Sequence, residues 1–189
     1  MYFVCGCFPE RWNGMALATL TRDEKKLAEN MALDLLIKHD ETNLPVDPTR
    51  LAGEEGYSVI YTDMIGNITG LLVPEDKTIM VDRTLDEQRS RFVIAHELGH
   101  VCLGHKGHRS RGDCVDSDMD GDDSFKKELA AEQFARTLLM PKPYLEKAIS
   151  LFQSNNKAFS SRVEYISYVF NVTEQKARMR LEECGFATA

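Results

Sequence analysis

The stretch RFVIAHELGHVCLGH, from Arg91 to His105, constrains the fold of this chain more than any other. It has the apolar pattern of a buried helix, yet it contains His96, Glu97 and His100. Ionisable side chains are costly to bury unless they are paired or bind a metal. Two helical residues four apart share a face, so His96 and His100 can bind one metal ion. We therefore expect a core built around a metal-binding helix.

This pattern is typical of a hydrolytic zinc site. Glu97 lies next to His96, about 100° around the helix, where it can reach a water on the metal. Zinc lowers the pKa of that water to about 7, and a carboxylate can take its proton as it attacks a carbonyl. The alternative is a chance spacing in a core helix. The apolar surroundings disfavour it, because three ionisable groups would then be buried without a reason.

A catalytic zinc site needs a third protein ligand and keeps one position open for water. The stretch KKELAAEQFARTLLMP offers Glu128 and Glu132, four apart on the next predicted helix. We predict that Glu128 is the third ligand and that Glu132 accepts a hydrogen bond from a ligand histidine, which would fix its tautomer. Without the upstream motif, both would be taken for ordinary exposed helix acids.

The rest of the chain predicts short helices around three strands. Thr21 and Glu24 form a capping box that opens a helix to about His39, and Pro48 can begin another. Strands predicted at 57–62, 68–73 and 78–82 favour a small antiparallel meander. Further helices are predicted at about 85–104, 125–139 and 144–152, followed by a helix, a turn at 171–173 and a helix.

The length suits one domain, or one domain with a small appendage. We divide the 189 residues into a poorly patterned segment (1–20), a main α+β domain (21–152) and a C-terminal helix-turn-helix-like part (153–189). The net charge of −7 disfavours direct nucleic-acid binding, which needs a basic surface. No apolar stretch approaches the roughly 20 residues that cross a bilayer.

The N-terminus is not expected to be a signal peptide, because no basic residue precedes Arg11 and no suitable cleavage site follows. Met15 is an alternative start, since the patterned sequence begins after it. The five cysteines form no disulfide framework, and their odd number favours a reducing cytoplasm.

Two weaker signals are interpreted as structural. The segment 116–123 begins like a calcium loop, but Lys127 stands where a bidentate glutamate is required, so a solvated acidic loop is favoured. Four residues could form a second zinc site or could simply pack in the structure, and packing is favoured. They are Cys102, His105, His108 and Cys114. A thiolate of Cys114 that blocks the water position on the zinc is a disfavoured alternative.

Together, RFVIAHELGHVCLGH and ELAAEQFARTLLMP resemble the ImmA/IrrE-type metallopeptidases, which phages, mobile elements and bacteria encode. The resemblance extends from about Thr21 to the C-terminal ISYVFNVTEQKARMRLEECGF. It departs from the family pattern where a second glutamate is replaced by Ala130 and an asparagine by Glu132. If that second glutamate were the family's ligand, Glu132 would be the fallback here.

The resemblance implies a zincin-like α+β domain with a small antiparallel or mixed sheet and a helical C-terminal part. It implies Zn²⁺ bound by His96, His100 and Glu128, with Glu97 as general base. The implied function is cleavage of a protein regulator, such as a helix-turn-helix repressor or transcription factor, with an edge strand pairing with the substrate. The alternative is a regulatory protein that keeps the zinc fold and acts by sequestering its partner.

Overall fold

The computed structural model describes residues 19–66, 68–105, 121–155 and 159–188. Within these ranges the chain forms an α+β fold with a small sheet, as predicted. The helices are α1 (Arg22–Lys38), α2 (Pro48–Glu54), α3 (Glu87–Cys102), α4 (Gly121–Leu139), α5 (Lys142–Asn155), α6 (Arg162–Phe170) and α7 (Glu174–Glu183). The strands are β1 (Ser58–Thr62), β2 (Gly70–Val73) and β3 (Thr78–Asp82). The predictions for Met15, His108, Cys114 and residues 116–120 of the calcium-like loop concern residues 1–18 and 106–120, which lie outside the described ranges. The last three residues of that loop form the start of α4.

The first two helices begin where local chemistry places them. At α1 the backbone N–H of Glu24 donates to Thr21 Oγ1 (3.2 Å), and Glu24 Oε2 accepts from the N–H of Thr21 (2.7 Å). This is the predicted capping box. At α2 the carboxylate of Asp47 accepts from the first free N–H groups, and Pro48 occupies the first turn, where its missing N–H costs nothing.

The sheet is mixed, so the predicted antiparallel meander is wrong. Its strand order is β1-β3-β2, with β1 parallel and β2 antiparallel to β3. The reason lies in burial: Ile79 and Val81 of β3 are fully buried, as suits a central strand, whereas Ile60 and Tyr61 of β1 are about half exposed. Alternating hydrophobicity predicts the strands but does not tell which neighbours pair.

The metal-motif helix α3 packs closely against α4. At Gly99 an added Cβ would lie 3.1 Å from the carbonyl oxygen of Ala131 and 3.1 Å from Phe134 Cδ1. Any larger side chain would have to push the two helices apart. Glycine at this position therefore brings the α4 side chains within reach of the α3 histidines.

The C-terminal helices α6 and α7 pack on the same core as the rest of the chain. Val163, Ile166 and Leu181 are fully buried in it. Arg91 of α3 donates to the carbonyl oxygens of Val46 (2.6 Å) and Asn171 (3.2 Å) and so joins the α6–α7 turn to α3. The helix-turn-helix-like arrangement is present, and the proposed division at 152/153 stays a prediction. None of the helices in the described ranges is long and apolar enough to cross a membrane.

Candidate metal centre

Three side chains predicted as ligands lie together at the α3–α4 contact. The Nε2 atoms of His96 and His100 are 3.1 Å apart. The carboxylate of Glu128 lies 3.1 Å from His96 Nε2 and 3.4 Å from His100 Nε2. Two imidazoles from one helix and a carboxylate from the next thus point at a common centre, and among the described residues this is the group suited to a metal ion.

The spacing of these atoms fits a zinc ion. Zinc bonds of about 2.0–2.1 Å in a tetrahedron separate neighbouring ligand atoms by about 3.3 Å. The two Nε2 atoms are 3.1 Å apart and Glu128 Oε2 lies 3.1 Å from His96 Nε2, both close to that value, and the other carboxylate oxygen, Oε1, lies 3.4 Å from His100 Nε2. Two histidines and one carboxylate also form a donor set that catalytic zinc sites use, and the fourth position is left for water. The side chain of Glu128 is 35% exposed, which leaves that side of the centre accessible.

The electrostatics of His96 also favour a cation at this point. Burial alone would lower the pKa of His96, but the hydrogen bond and charge of Glu128 outweigh it and raise this pKa above the ordinary value. The carboxylates of Glu97 and Glu132 act in the same direction. Several negative charges therefore surround a histidine that is only 7% exposed, and a bound divalent cation would compensate them.

Glu97 lies beside the first residue of β2. It is 8% exposed. A Cβ added at Gly70 would be 3.2 Å from Glu97 Oε1 and 2.3 Å from Val93 Cγ1. Glycine at the start of β2 therefore lets the strand backbone lie directly against α3, next to the carboxylate that follows the first histidine.

Glu132 lies one turn after Glu128 and takes part in different contacts. Its Oε1 accepts from Lys176 Nζ (2.9 Å) and Arg136 Nη1 (2.8 Å). The ammonium of Lys176 also lies 4.0 Å from the centre of the Phe92 ring. The role predicted for Glu132, as acceptor for a ligand histidine, stays a prediction, and its carboxylate contacts join α4 to α7.

His105, to which the sequence pattern assigns a packing role, contacts the site. Its Nδ1 lies 2.9 Å from His100 Nδ1, and the two ring centres are 5.0 Å apart. The sequence carries a signal for this contact in Gly104, because a glycine just after a helix turns the next residue back over the last turn. Cys102 is half-buried beside the core, and burial raises the pKa of its thiol to about 12.

The sequence matches the family of the IrrE N-terminal-like domain, Peptidase_M78, over residues 52–182. The match covers more than half of the chain and includes α3 and α4, so the protein belongs to this peptidase-type family. The family assignment made from the two motifs is therefore confirmed. No curated protein matches the chain at a significant level.

Among solved structures, the fold is similar to that of a chain described as a Mycobacterium tuberculosis transcriptional regulator. The TM-score is 0.58 and the sequence identity is 18%. The match covers 86% of this chain but 47% of the other, so this chain spans about half the length of that regulator. At this identity the likeness concerns the fold alone.

Proposed function

We propose that this chain is a zinc-dependent endopeptidase in which His96, His100 and Glu128 hold the metal. The observation that carries the proposal is the convergence of these three side chains at distances of 3.1–3.4 Å, with Glu97 on the same turn of α3. Zinc in this centre would supply Lewis acidity, polarising a peptide carbonyl and lowering the pKa of a water to about 7.

Glu97 is the proton-transfer group of the proposed reaction. Its carboxylate takes a proton from the attacking water and then delivers it to the leaving amine of the cleaved peptide bond. The position of Glu97 suits this role, because it follows His96 on α3 and its Oε1 faces the start of β2. Its 8% exposure limits competing hydrogen bonds from bulk water.

We further propose that the substrate lies along the edge of β2 that pairs with no other strand among the described residues. Gly70 and Leu72 stand opposite Val81 and Ile79 of β3, and the N–H of Asp82 donates to Thr69 O (3.0 Å). In an antiparallel pair with this register, Gly70 and Leu72 direct their own N–H and C=O groups away from β3. These groups can pair with an extended peptide, and at Gly70 the peptide would pass beside Glu97.

The proposed substrate is a protein regulator, such as a helix-turn-helix repressor or transcription factor, in the cytoplasm. The family membership supports a peptidase, and the similarity in fold to a protein described as a transcriptional regulator supports a link to transcription. Sequestration of the regulator without cleavage is the competing mechanism, and it requires no proton transfer by Glu97.

The Glu97→Gln variant tests the proposal against sequestration. We expect zinc-loaded wild type to cleave members of a diverse peptide library, or the product of a neighbouring repressor gene, as read by mass spectrometry. Glu97→Gln should bind zinc normally and lose about 10²–10⁴-fold in cleavage rate, the usual contribution of a general base. A chelator should abolish cleavage by the wild type. Cleavage at the wild-type rate by Glu97→Gln would contradict the proposal, and an unchanged effect on gene expression would favour sequestration.

A further inference from the structure

His96 and His100 differ in the contacts of the ring nitrogen that faces away from the proposed metal, here called the outer nitrogen. His100 is 2% exposed, and its Nε2 points at the metal centre while its Nδ1 lies 2.9 Å from His105 Nδ1. For His96 the outer nitrogen, Nδ1, is buried and has no hydrogen-bond partner among the described residues. The two proposed ligands therefore differ in how their rings are held.

The turn at the end of α3 places His105 on His100. The N–H of His105 donates to His100 O (3.0 Å), and the N–H of Gly104 donates to Val101 O (3.1 Å). These two bonds form a Schellman motif, which requires a left-handed residue after the helix. Gly104 supplies it with φ +68°. The backbone thus returns His105 to the turn that contains His100, and the ring contact follows from the cap.

We propose that His105 is a positioning residue that fixes the tautomer and ring orientation of His100 for zinc, an inference that rests on the proposed zinc site. Two Nδ1 atoms 2.9 Å apart form a hydrogen bond only if one carries a proton and the other a lone pair. An imidazole that binds a metal through Nε2 carries its proton on Nδ1. His100 therefore donates, and His105 accepts through Nδ1 and carries its own proton on Nε2.

This arrangement stabilises the metal-binding form of His100 in two ways. While His105 carries its proton on Nε2, its Nδ1 can only accept a hydrogen bond, and this disfavours the tautomer of His100 that would place the proton on Nε2 and block the metal. The contact also restrains rotation of the His100 ring, and so keeps its Nε2 directed at the side chains of His96 and Glu128. Loss of such an outer partner typically weakens metal binding about 10–100-fold.

A matched pair of variants tests this role. His105→Asn keeps an acceptor oxygen near the position of Nδ1, whereas His105→Leu has nearly the same shape as Asn and no acceptor. We expect His105→Leu to bind zinc about 10–100-fold more weakly in competition with a chromophoric chelator, and His105→Asn to recover most of that loss. Both metal-free variants should unfold at similar temperatures, because a packing role would depend on shape and not on the acceptor.

The outcomes distinguish this inference from the zinc site itself. The role of His105 would be overturned if His105→Leu kept the zinc affinity of the wild type, or if both variants lost it equally. In that case His100→Ala should still lose zinc. If His100→Ala also keeps zinc, the proposed site is wrong. If a variant does not fold, nitrogen-detected NMR of the wild-type zinc form tests the same inference. We expect a proton on His100 Nδ1 and on His105 Nε2, and a proton on His105 Nδ1 would overturn the inference.

Discussion

Glu128 and Glu132, one turn apart on α4, face two different chemical environments. The carboxylate of Glu128 reaches the imidazoles of His96 and His100. That of Glu132 reaches the cationic side chains of Lys176 and Arg136. Burial would raise the pKa of Glu132, but the charges of Lys176 and Arg136 outweigh it and hold this pKa below its ordinary value.

The difference shows how one helix can serve two purposes. Around Glu132 the protein supplies its own positive charges, and the network continues from Arg136 to Glu183 and from there to Arg180 of α7. Around Glu128 the contacts are with imidazoles that must stay neutral to bind a metal. The first region joins α7 to α4, and the second is the group that we propose binds a metal ion.

The largest predicted effect is the different result of replacing Glu128 or Glu132 by alanine. Glu128→Ala should weaken zinc binding by more than about 100-fold, since a direct ligand contributes more than an outer hydrogen-bond partner. Glu132→Ala should keep zinc but lose about 3–5 kcal/mol in the free energy of unfolding, because Lys176 would be left buried without its carboxylate. Chelator competition measures the first quantity, and denaturant unfolding of the metal-free proteins measures the second.

The comparison would fail if the two substitutions exchanged their effects. Zinc loss in Glu132→Ala with retention in Glu128→Ala would make Glu132 the third ligand, the fallback that the sequence left open. Lys176→Met is the matched control for the charge network: it should destabilise the fold without changing zinc affinity.

A second prediction concerns acid sensitivity of the charge network at Glu183. Burial would raise the pKa of Glu183, but Arg136, Lys25 and Arg180 outweigh it and lower the pKa to about 2. A carboxylate with a lowered folded-state pKa stabilises the fold above its unfolded pKa, and that contribution is lost as the pH falls toward the folded value. Between about pH 4.5 and 2 the fold should lose about 3 kcal/mol from this group.

Denaturant unfolding at several pH values checks this loss. Glu183→Gln should be less stable than wild type at pH 7 and should lack this part of the acid dependence. Its exposed neighbour provides the control, Glu182→Gln, which should retain the wild-type profile. If stability fell with pH in Glu183→Gln in the same way as in the wild type, other carboxylates would be responsible for the acid dependence.

The smallest predicted effect concerns Gly70, which lies beside Glu97 near the candidate metal centre. Gly70→Ala would place a Cβ 2.3 Å from Val93 Cγ1, so β2 or Val93 must move. We expect a loss of about 1–3 kcal/mol in stability, as for other overpacked contacts, together with slower cleavage and unchanged zinc affinity. Gly70→Ala combined with Val93→Ala should recover much of both losses. Gly53→Ala, where the added Cβ meets nothing within 4 Å, should have neither defect.

The sequence predicts the helices well because the residues that determine where a helix begins and ends are close to it in sequence. Thr21 and Glu24 form the cap that their spacing predicts, and α1 ends at Lys38, next to the predicted limit at His39. The pairing of β1 with β3 could not be predicted in the same way. It depends on which strand becomes central, and that choice is made by packing against distant residues such as those of α3.

The site was predictable to the extent that it follows helical geometry. His96, Glu97 and His100 share one helix, and the spacing of Glu128 and Glu132 left two candidates that only the approach of α4 to α3 can distinguish. The contact of His105 with His100 depends on the left-handed backbone of Gly104, a feature of the cap that the apolar pattern of α3 does not contain.

The close approach at Gly99 limits how α3 and α4 can move relative to each other. Leu98 and Phe134 are fully buried beside this contact, and the backbone of Ala131 lies where any larger side chain at Gly99 would have to go. The positions of His96, His100 and Glu128 relative to one another therefore depend on the packing of the hydrophobic core as well as on their own contacts. A substitution far from these three side chains that loosens this packing should also displace them.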